Sequence, residues 1–211
     1  MRLRNVKNAN IIVNSSVYTI VNPEEHKGHF KELFNNDNPL HIEIGMGKGD
    51  FIIGMAKKYP NINFIGIEKY ESVMVRAIQK IEGIELPNLK LICMDAKTIN
   101  EVFDHEVDTL YLNFSDPWPK TRHAKRRLTS DLFLKLYDDI FINNPHIIQK
   151  TDNIGLFAYS LSSLSMYGYT LINVSLDLAN TEIPNVITEY ESKFMALGTK
   201  INYLEAVKYN K

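Results

Sequence analysis

The segment from Asn113 to Pro119 holds the residues of this sequence whose types and spacing best suit chemistry. It reads Asn-Phe-Ser-Asp-Pro-Trp-Pro, so Asp116 stands beside rigid prolines and close to Trp118, the single tryptophan of the chain. The run from Thr109 to Phe114 predicts a strand that leads into this segment. Open α/β sheets bind ligands at the carboxyl ends of their strands. Trp118 and Phe114 could stack on an aromatic base. We expect Asp116 to be catalytic and to lie beside the cofactor; the alternative is a proline-rich turn with Trp118 packed for stability.

A glycine loop after the first predicted strand is the second candidate site. Gly45, Gly47 and Gly49 let a ligand approach the backbone at a helix N-terminus. Asp50 stands where the dinucleotide-binding pattern needs glycine, and the P-loop spacing is absent, so these two nucleotide classes are disfavoured. Glu43 would repel a pyrophosphate but attract the cationic amino group of a methionine moiety. The loop therefore points to S-adenosyl-L-methionine as the cofactor.

Two more acids fall at strand ends where that cofactor needs them. Glu68 closes the second predicted strand, about twenty residues after the glycines, where a carboxylate can accept both ribose hydroxyls. Asp95 follows the third predicted strand and is placed to accept a hydrogen bond from the adenine amino group. Either acid alone could be an exposed strand cap. Three acids in register with one glycine loop make coincidence less plausible.

Basic residues are concentrated immediately after the Asp-Pro-Trp segment. The formal net charge is −1, so any attraction to nucleic acid must be local. The run would neutralise phosphates beside a target base, although a solvated loop or helix face is the alternative. A second group of basic residues lies at the start of the chain. No other His or Cys lies at metal-ligand spacing from His123 of the run, so we expect no metal site. The residues concerned are Lys120, Arg122, His123, Lys125, Arg126 and Arg127, and at the start Arg2, Arg4 and Lys7.

From position 40 onward, short apolar runs alternate with segments of helical period, which is typical of a parallel sheet covered by helices. Predicted strands are 40–44, 63–67, 89–94, 109–114 and 147–150; predicted helices are 50–59, 72–81, 129–142 and 155–167. Thr129 and Ser130 could cap the third of these helices. Residues 169–178 and 194–207 are β-rich, with a candidate turn at Gly198. We expect a Rossmann-like α/β fold with helices on both faces of a mostly parallel sheet and an antiparallel edge strand.

Length and composition bound the remaining possibilities. With 211 residues, 45% of them hydrophobic, the chain suits a single domain, 39–211, preceded by an N-terminal extension, 1–38. No apolar run approaches the roughly 18 residues of a membrane span, and the start lacks a secretion signal, so a cytoplasmic location is expected. Cys93 is the single cysteine, which rules out an intramolecular disulfide.

Four strings carry a resemblance to a known family. IGMGKG, LNFSDPWPKTRHAKRRLT, KTDNIGLF and TEYESKF, together with Glu68, resemble the bacterial tRNA (guanine-N7)-methyltransferases, which have the class I S-adenosylmethionine-dependent methyltransferase fold. The resemblance covers nearly the whole chain after residue 40. It implies transfer of a methyl group from S-adenosylmethionine to N7 of a guanine in the variable loop of tRNA. The sequence leaves open whether the protein is a monomer or a homodimer.

The resemblance also implies a role for individual residues. Those that match the family's cofactor and reaction-centre positions are Glu43, Glu68, Asp95 and Asp116. Those that match substrate-binding positions are Lys120, Asp152, Thr188, Glu189, Tyr190 and Glu191, and the residues from Arg122 to Arg127 would meet the RNA. From composition alone, Asp152 could instead be a cap before the next helix, and Thr188 to Glu191 a solvated entry to a strand.

Some positions depart from the family pattern. Ile154 stands where the family usually has Arg, residues 143–146 replace a Gly-Gly turn, and the Pro-Trp pair that often follows the first arginines is missing. Two other functions stay open at this point. Asp-Pro-Trp resembles the motif of amino-methyltransferases that act on adenine or glutamine nitrogen, and a non-catalytic RNA-binding relative could keep the same fold.

Overall fold

Apolar runs rich in Ile, Leu and Val form the parallel part of a central sheet in the computed structural model, which describes residues 6–209. In these residues the sheet has seven strands in the order β3-β2-β1-β4-β5-β7-β6. Strands β1 to β5 are mutually parallel, whereas β7 is antiparallel to both of its neighbours. The strands are β1 Leu40–Ile44, β2 Asn63–Glu68, β3 Leu89–Cys93, β4 Thr109–Asn113, β5 His146–Thr151, β6 Thr170–Ser175 and β7 Asn202–Val207.

The helices cover both faces of this sheet. One apolar cluster joins the strands to α1, α2 and α3, and the other joins them to α4, α5 and α6. Neighbouring residues of β2 point to opposite faces, with Phe64 in one cluster and Ile65 in the other. The α-helices are α1 Ala9–Ser15, α2 Asp50–Lys58, α3 Glu71–Ile81, α4 Ile99–Val102, α5 Asp131–Asp138, α6 Ile154–Met166 and α7 Glu189–Ala196.

The predicted α/β class is confirmed, and the five predicted parallel strands agree with the structure to within one residue at each end. The expected antiparallel edge is confirmed as well: the edge strand β6 pairs antiparallel with β7, and β7 pairs antiparallel with β5. Because β1 to β5 are parallel, their carboxyl ends share one edge of the sheet, and the predicted site residues follow the strands at that edge.

For one helix, α5, the predicted bounds and the predicted cap were both wrong. The helix expected over 129–142 spans only Asp131–Asp138, because Phe141 leaves the helix to pair with Val107 in a parallel bridge. The hydroxyls of Thr129 and Ser130 do not cap it. They bond instead to the Ser160 hydroxyl and to the carbonyl of Lys125.

The β-rich prediction for 194–207 was wrong for its first residues, which belong to α7. The sequence Thr188-Glu-Tyr-Glu191 is a capping-box pattern that starts a helix, and the Thr188 side chain accepts from the Glu191 amide. The strand begins only at Asn202. The segment expected to enter a strand is therefore the first turn of a helix.

The described part of the N-terminal segment packs against the sheet and its helices. Helix α1 contacts α3, and Thr19 pairs with Leu91 on the outer side of β3. Phe30 is fully buried, and the Glu106 carboxylate accepts from the backbone amides of Gly28 and Phe30. Arg2 and Arg4 lie outside the described residues. The domain boundary after residue 38 stays a prediction.

Within residues 6–209, no helix combines the length and the apolar character that crossing a membrane would require.

Candidate active site

The glycine loop lies between β1 and α2, at the edge where the parallel strands end. Its path is fixed because the amides of Gly45 and Met46 both donate to the Ile67 carbonyl. Gly45 and Gly47 adopt φ values of +76° and +57°, a region that strains other residues, and a Cβ at either position would meet nothing within 4 Å. Open space on this side lets a ligand approach the backbone at the start of α2.

Glu43 is the most deeply buried of the predicted cofactor residues, with 2% of its surface exposed. Its Oε1 atom accepts from the Asn113 side-chain amide at 2.9 Å, and its Oε2 atom is buried without a hydrogen-bond partner. Burial raises the pKa of this carboxyl from 4.5 to about 7, while the Asn113 bond and the charge of Lys150 oppose the rise. A buried acceptor left open at the end of β1 suits a cationic ligand.

Glu68 ties the glycine loop to the end of β2. The Gly47 amide donates to Oε2 and the Tyr70 amide to Oε1, each at 3.0 Å. Burial raises the pKa of Glu68, those amides lower it, and the negative charge of Asp116 raises it further. Each oxygen keeps a second lone pair for a ligand hydroxyl. The effect of Asp116 shows that β2 and the Asp-Pro-Trp segment bring their carboxylates within electrostatic range.

Asp95 follows β3 and begins the short helix Ala96–Thr98. Its side chain accepts from the Lys97 amide at 3.1 Å and from Lys69 Nζ at 2.8 Å. Burial alone would raise its pKa, but these two donors and the positive charges lower the pKa of Asp95 below its ordinary value. Asp95 is therefore ionised and oriented, with Lys69 as a partner that an incoming ligand amine would have to share or displace.

The Asn113–Pro119 segment leaves β4 in a strained conformation. Phe114 and Trp118 have φ values of +50° and +41°, which for residues with bulky side chains cost about 1–3 kcal/mol each. The Phe114 amide is held by the Lys150 carbonyl of β5. Asp116, between the two strained residues, is exposed to solvent. A strained backbone of this kind persists only where surrounding contacts hold it. In this conformation the Asp116 carboxylate faces solvent.

Trp118 is covered on more than one side by the basic run. The Arg126 guanidinium lies 4.8 Å from the ring centroid, and the His123 ring meets it edge-on at 5.7 Å. Phe114 instead packs against Tyr190, with ring centroids 4.9 Å apart. The two aromatic residues expected to stack on one base therefore face different neighbours, and Phe114 with Tyr190 forms the aromatic wall beside β5.

The basic run forms the 3₁₀ helix Thr121–Arg126, with Lys120 at its start. The side chains of Lys120, Arg122 and Lys125 are exposed and, within the described residues, have no hydrogen bond or ion pair. Arg127 is different: its guanidinium turns back to the carbonyls of Pro117 and Trp118. The run thus divides into free cations that face solvent and two arginines that contact the Asp-Pro-Trp segment: Arg126 lies against the Trp118 ring, and Arg127 bonds to the backbone.

The residues expected to bind substrate lie on the other side of the segment, where β5 ends and α7 begins. Asp152 is not the cap of α6, because Asn153 accepts from the Leu156 amide in that place. Instead Asp152 Oδ2 accepts from the Tyr190 hydroxyl at 3.3 Å. Glu189 is exposed and lies 3.4 Å from Lys48 of the glycine loop. Helix α7 therefore reaches both the end of β5 and the loop.

Glu191 and Thr188 are buried and hold this arrangement together. Glu191 Oε2 accepts from Lys150 Nζ at 2.7 Å, and its Oε1 atom accepts from the Asn185 amide at 2.6 Å. Thr188 caps α7. Both oxygens of Glu191 are engaged within the protein, so its geometry is that of an anchor for α7.

Lys150 is the site residue that the sequence reasoning treated only as part of a strand. It is buried at the end of β5, bonded to Glu191, Asn185 and the Val186 carbonyl, and its ammonium lies 4.8 Å from the Phe51 ring centroid. Burial lowers the pKa of Lys150, and the charges of Glu191 and Glu43 counter it. A lysine that ends a buried run, just before Thr-Asp, was the signal that could have identified it.

Comparison with known proteins agrees with this geometry. A family model described as "Putative methyltransferase" matches residues 37–204. A relative named tRNA (guanine-N(7)-)-methyltransferase from Geobacillus sp. (strain WCH70) is 56% identical over 194 residues, 91% of this chain and 88% of the relative. Relatives of the same name come from Bacillus subtilis (strain 168), 55% identical over 86% of each chain, and Lachnoclostridium phytofermentans, 47% identical over 99% of each.

Solved structures with lower identity share the fold. The 16S rRNA methyltransferase KamB superposes with a TM-score of 0.65 at 13% identity, over 87% of this chain and 94% of that one. A 16S rRNA (adenine(1408)-N(1))-methyltransferase from Catenulisporales acidiphilia, solved with its cosubstrate, gives 0.62 at 14% identity, over 89% and 92%. The sheet with its glycine loop and strand-end acids is a class I methyltransferase fold, and this chain belongs to the tRNA (guanine-N(7)-)-methyltransferase family.

Proposed function

We propose that this protein transfers a methyl group from S-adenosyl-L-methionine to N7 of a guanine in the variable loop of tRNA. The observation that carries the proposal is the group of carboxylates around the glycine loop. Glu43 has a buried oxygen without a partner, and Glu68 and Asp116 repel each other in the ligand-free protein. A cationic ligand relieves both penalties, and family membership through relatives of that name agrees with it.

The residues present fit the cofactor. The open glycine loop would let the cofactor approach the start of α2, Glu43 would accept from its amino group, Glu68 from its ribose hydroxyls and Asp95 from its adenine amine. When bound, S-adenosylmethionine supplies an electrophilic methyl group on a sulfonium, and the electron pair of the broken C–S bond stays on sulfur. Solved methyltransferases of this fold include complexes with that cofactor. The chain's own side chains bind and orient the two reactants.

Guanine N7 carries an in-plane lone pair and no proton, so methylation at this atom needs no general base. Positioning is then the main contribution of the protein to the rate. The purine becomes positively charged as the N–C bond forms, and carboxylates aimed at its N1 and N2 protons stabilise that charge. Asp152 bonds to Tyr190 of the aromatic wall, and Asp116 follows Phe114 by two residues and is exposed, which makes these two acids our candidates for this role.

The exposed cations supply affinity for RNA. Lys120, Arg122 and Lys125 follow the Asp-Pro-Trp segment without partners among the described residues, so they are free to neutralise phosphates near the target base. Because the net charge of the chain is −1, this attraction is local, and it brings tRNA to the edge where the cofactor lies. Cytoplasmic tRNA is the substrate we infer.

The test is transfer of label from S-adenosylmethionine to unmodified bulk tRNA, followed by mapping of the modified atom. We expect label in 7-methylguanosine, recognised by its lability in alkali and by mass spectrometry. Label on an exocyclic nitrogen would replace the proposal with an amino-methyltransferase. Binding of tRNA without transfer, at saturating cofactor, would indicate an RNA-binding relative that has lost activity.

A further inference from the structure

We propose that Arg127 is a positioning residue that fixes the Asp116–Trp118 segment for methyl transfer, although its place in the basic run suggests a ligand of RNA phosphate. The guanidinium donates from Nε to the Pro117 carbonyl at 3.2 Å and from Nη2 to the Trp118 carbonyl at 3.0 Å. This inference rests on the proposed methyl transfer. The hydrogen bonds of its guanidinium distinguish Arg127 from the other arginines of the run.

The segment has few other means of being held. Pro117 and Pro119 lack amide hydrogens, so the segment has fewer backbone donors through which it can be fixed. Within residues 6–209, the hydrogen bonds that reach residues 115–119 are the two from Arg127. Trp118 has a φ of +41°, a conformation that a non-glycine residue keeps only when its surroundings impose it. Arg126 and His123 contact the Trp118 ring, whereas Arg127 supplies the hydrogen bonds that hold the backbone of the segment in this conformation.

Arg127 is itself fixed from behind. Its guanidinium carbon lies 4.2 Å from the ring centroid of Tyr159 on α6, in a cation–π contact. The residues that follow it are tied to the same helix, since the Thr129 hydroxyl bonds to Ser160 and the Ser163 hydroxyl donates to the Thr129 carbonyl. Helix α6 thus supports Arg127, and Arg127 supports the segment that carries Asp116.

A planar guanidinium is needed for this contact and a simple positive charge is not sufficient. Arginine presents its donors in a rigid fork, so it reaches two adjacent carbonyls at once, whereas the lysine ammonium acts as a point charge. If Arg127 instead contacted an RNA phosphate, Arg127→Lys would retain the interaction, because lysine also neutralises phosphate. Arg127→Lys therefore distinguishes positioning from RNA contact. Arg122→Ala is the matched control, an exposed arginine of the same run.

The experiment measures kcat and KM for tRNA, the dependence of tRNA affinity on salt, and the fluorescence of Trp118. Trp118 is the single tryptophan, so its emission and its quenching by acrylamide report on the segment alone. We expect Arg127→Lys and Arg127→Ala each to lower kcat by about 10- to 100-fold with unchanged tRNA affinity and salt slope. Both should make Trp118 easier to quench. Arg122→Ala should raise KM and lower the salt slope by about one.

The opposite pattern overturns the proposal: wild-type kcat in Arg127→Lys, with weaker tRNA binding and a lower salt slope in Arg127→Ala. Two further variants keep the test decisive if the Arg127 variants do not fold. Tyr159→Leu removes the aromatic ring that supports Arg127 and should lower kcat. Tyr159→Phe keeps the ring, so its kcat should equal that of the wild type. Equal kcat in these two would also refute it. Absence of methyl transfer by the wild type would count against the proposed function instead, and the quenching of Trp118 would still test the positioning role.

Discussion

Replacing Glu43 with Gln should make the cofactor-free protein more stable, and the gain should grow with pH. Glu43 Oε2 is buried without a partner, and burial raises the pKa of the carboxyl from 4.5 to about 7. Gln has nearly the same shape, and its amide oxygen can still accept from Asn113. The substitution therefore removes a buried charge while retaining the one hydrogen bond to Glu43 from a neighbouring side chain.

The raised pKa fixes the sign and the size of this effect. Below pH 4.5 the carboxyl is protonated in the folded and the unfolded chain, and its titration contributes nothing to stability. Between pH 4.5 and about 7 the unfolded chain loses the proton while the folded chain keeps it, so the free energy of unfolding falls as pH rises. At about 1.4 kcal/mol per pH unit, the loss approaches 3 kcal/mol above pH 7.

The assay is urea unfolding of the wild type and of Glu43→Gln at pH 5, 6, 7 and 8. The stability difference in favour of Gln should increase by about 2–3 kcal/mol from pH 5 to pH 8. Glu24→Gln, an exposed carboxyl replaced in the same way, should leave the pH dependence unchanged. A stability difference that is the same at pH 5 and at pH 8 would refute the reasoning, because Glu43 would then be ionised as readily in the folded as in the unfolded chain.

The same substitution should weaken cofactor binding. The amino group proposed to pair with Glu43 favours its ionised form, so binding should release most of a proton at pH 6 and a much smaller fraction at pH 7.5. Calorimetry in buffers of different ionisation enthalpy measures that proton. Glu43→Gln should abolish the release and lower the affinity, and a proton release that persists in Glu43→Gln would assign the titrating group elsewhere.

Three further outcomes are expected. Lys150→Met leaves the buried Glu191 carboxylate without its cation and should lower the free energy of unfolding by about 3–5 kcal/mol. Adding Glu191→Met should recover part of that loss. Gly54→Ala places a Cβ 2.5 Å from Val186 Cγ1, so it should cost about 1–3 kcal/mol, and Val186→Ala should relieve it. Asp116→Asn should abolish methyl transfer while tRNA affinity, measured by filter binding, stays near the wild-type value.

Each of these has a result that contradicts it. Additive losses in the Lys150 and Glu191 double variant would mean that the pair does not interact in solution. A destabilised Gly54→Ala that Val186→Ala fails to improve would place the clash elsewhere. Full transfer by Asp116→Asn would show that the reaction does not need the Asp116 carboxyl group, and a large loss of tRNA affinity would place Asp116 in the RNA interface.

The sequence predicted the parallel sheet because its information is local. Strands such as β1 and β2 are short apolar runs bounded by glycine or acids, and the glycine loop follows from residue type alone. Since parallel strands end at one edge, the placement of Glu43, Glu68 and Asp95 follows from strand assignment without any distance. The side-chain contacts of Glu191 could not be predicted in this way. They depend on the position of α7 against β5, which pairs residues far apart in the chain.

What the sequence by itself determined is the fold class, the family and the set of residues at the carboxyl ends of the strands. Tertiary structure alone decided how residues of one type differ in role. Arg122 faces solvent while Arg127 bonds to the Asp-Pro-Trp segment, and Glu43 is buried while Asp116 is exposed. Composition and spacing cannot distinguish these cases, because burial and the direction of a side chain are set by the residues that pack around it, and those lie far away in the sequence.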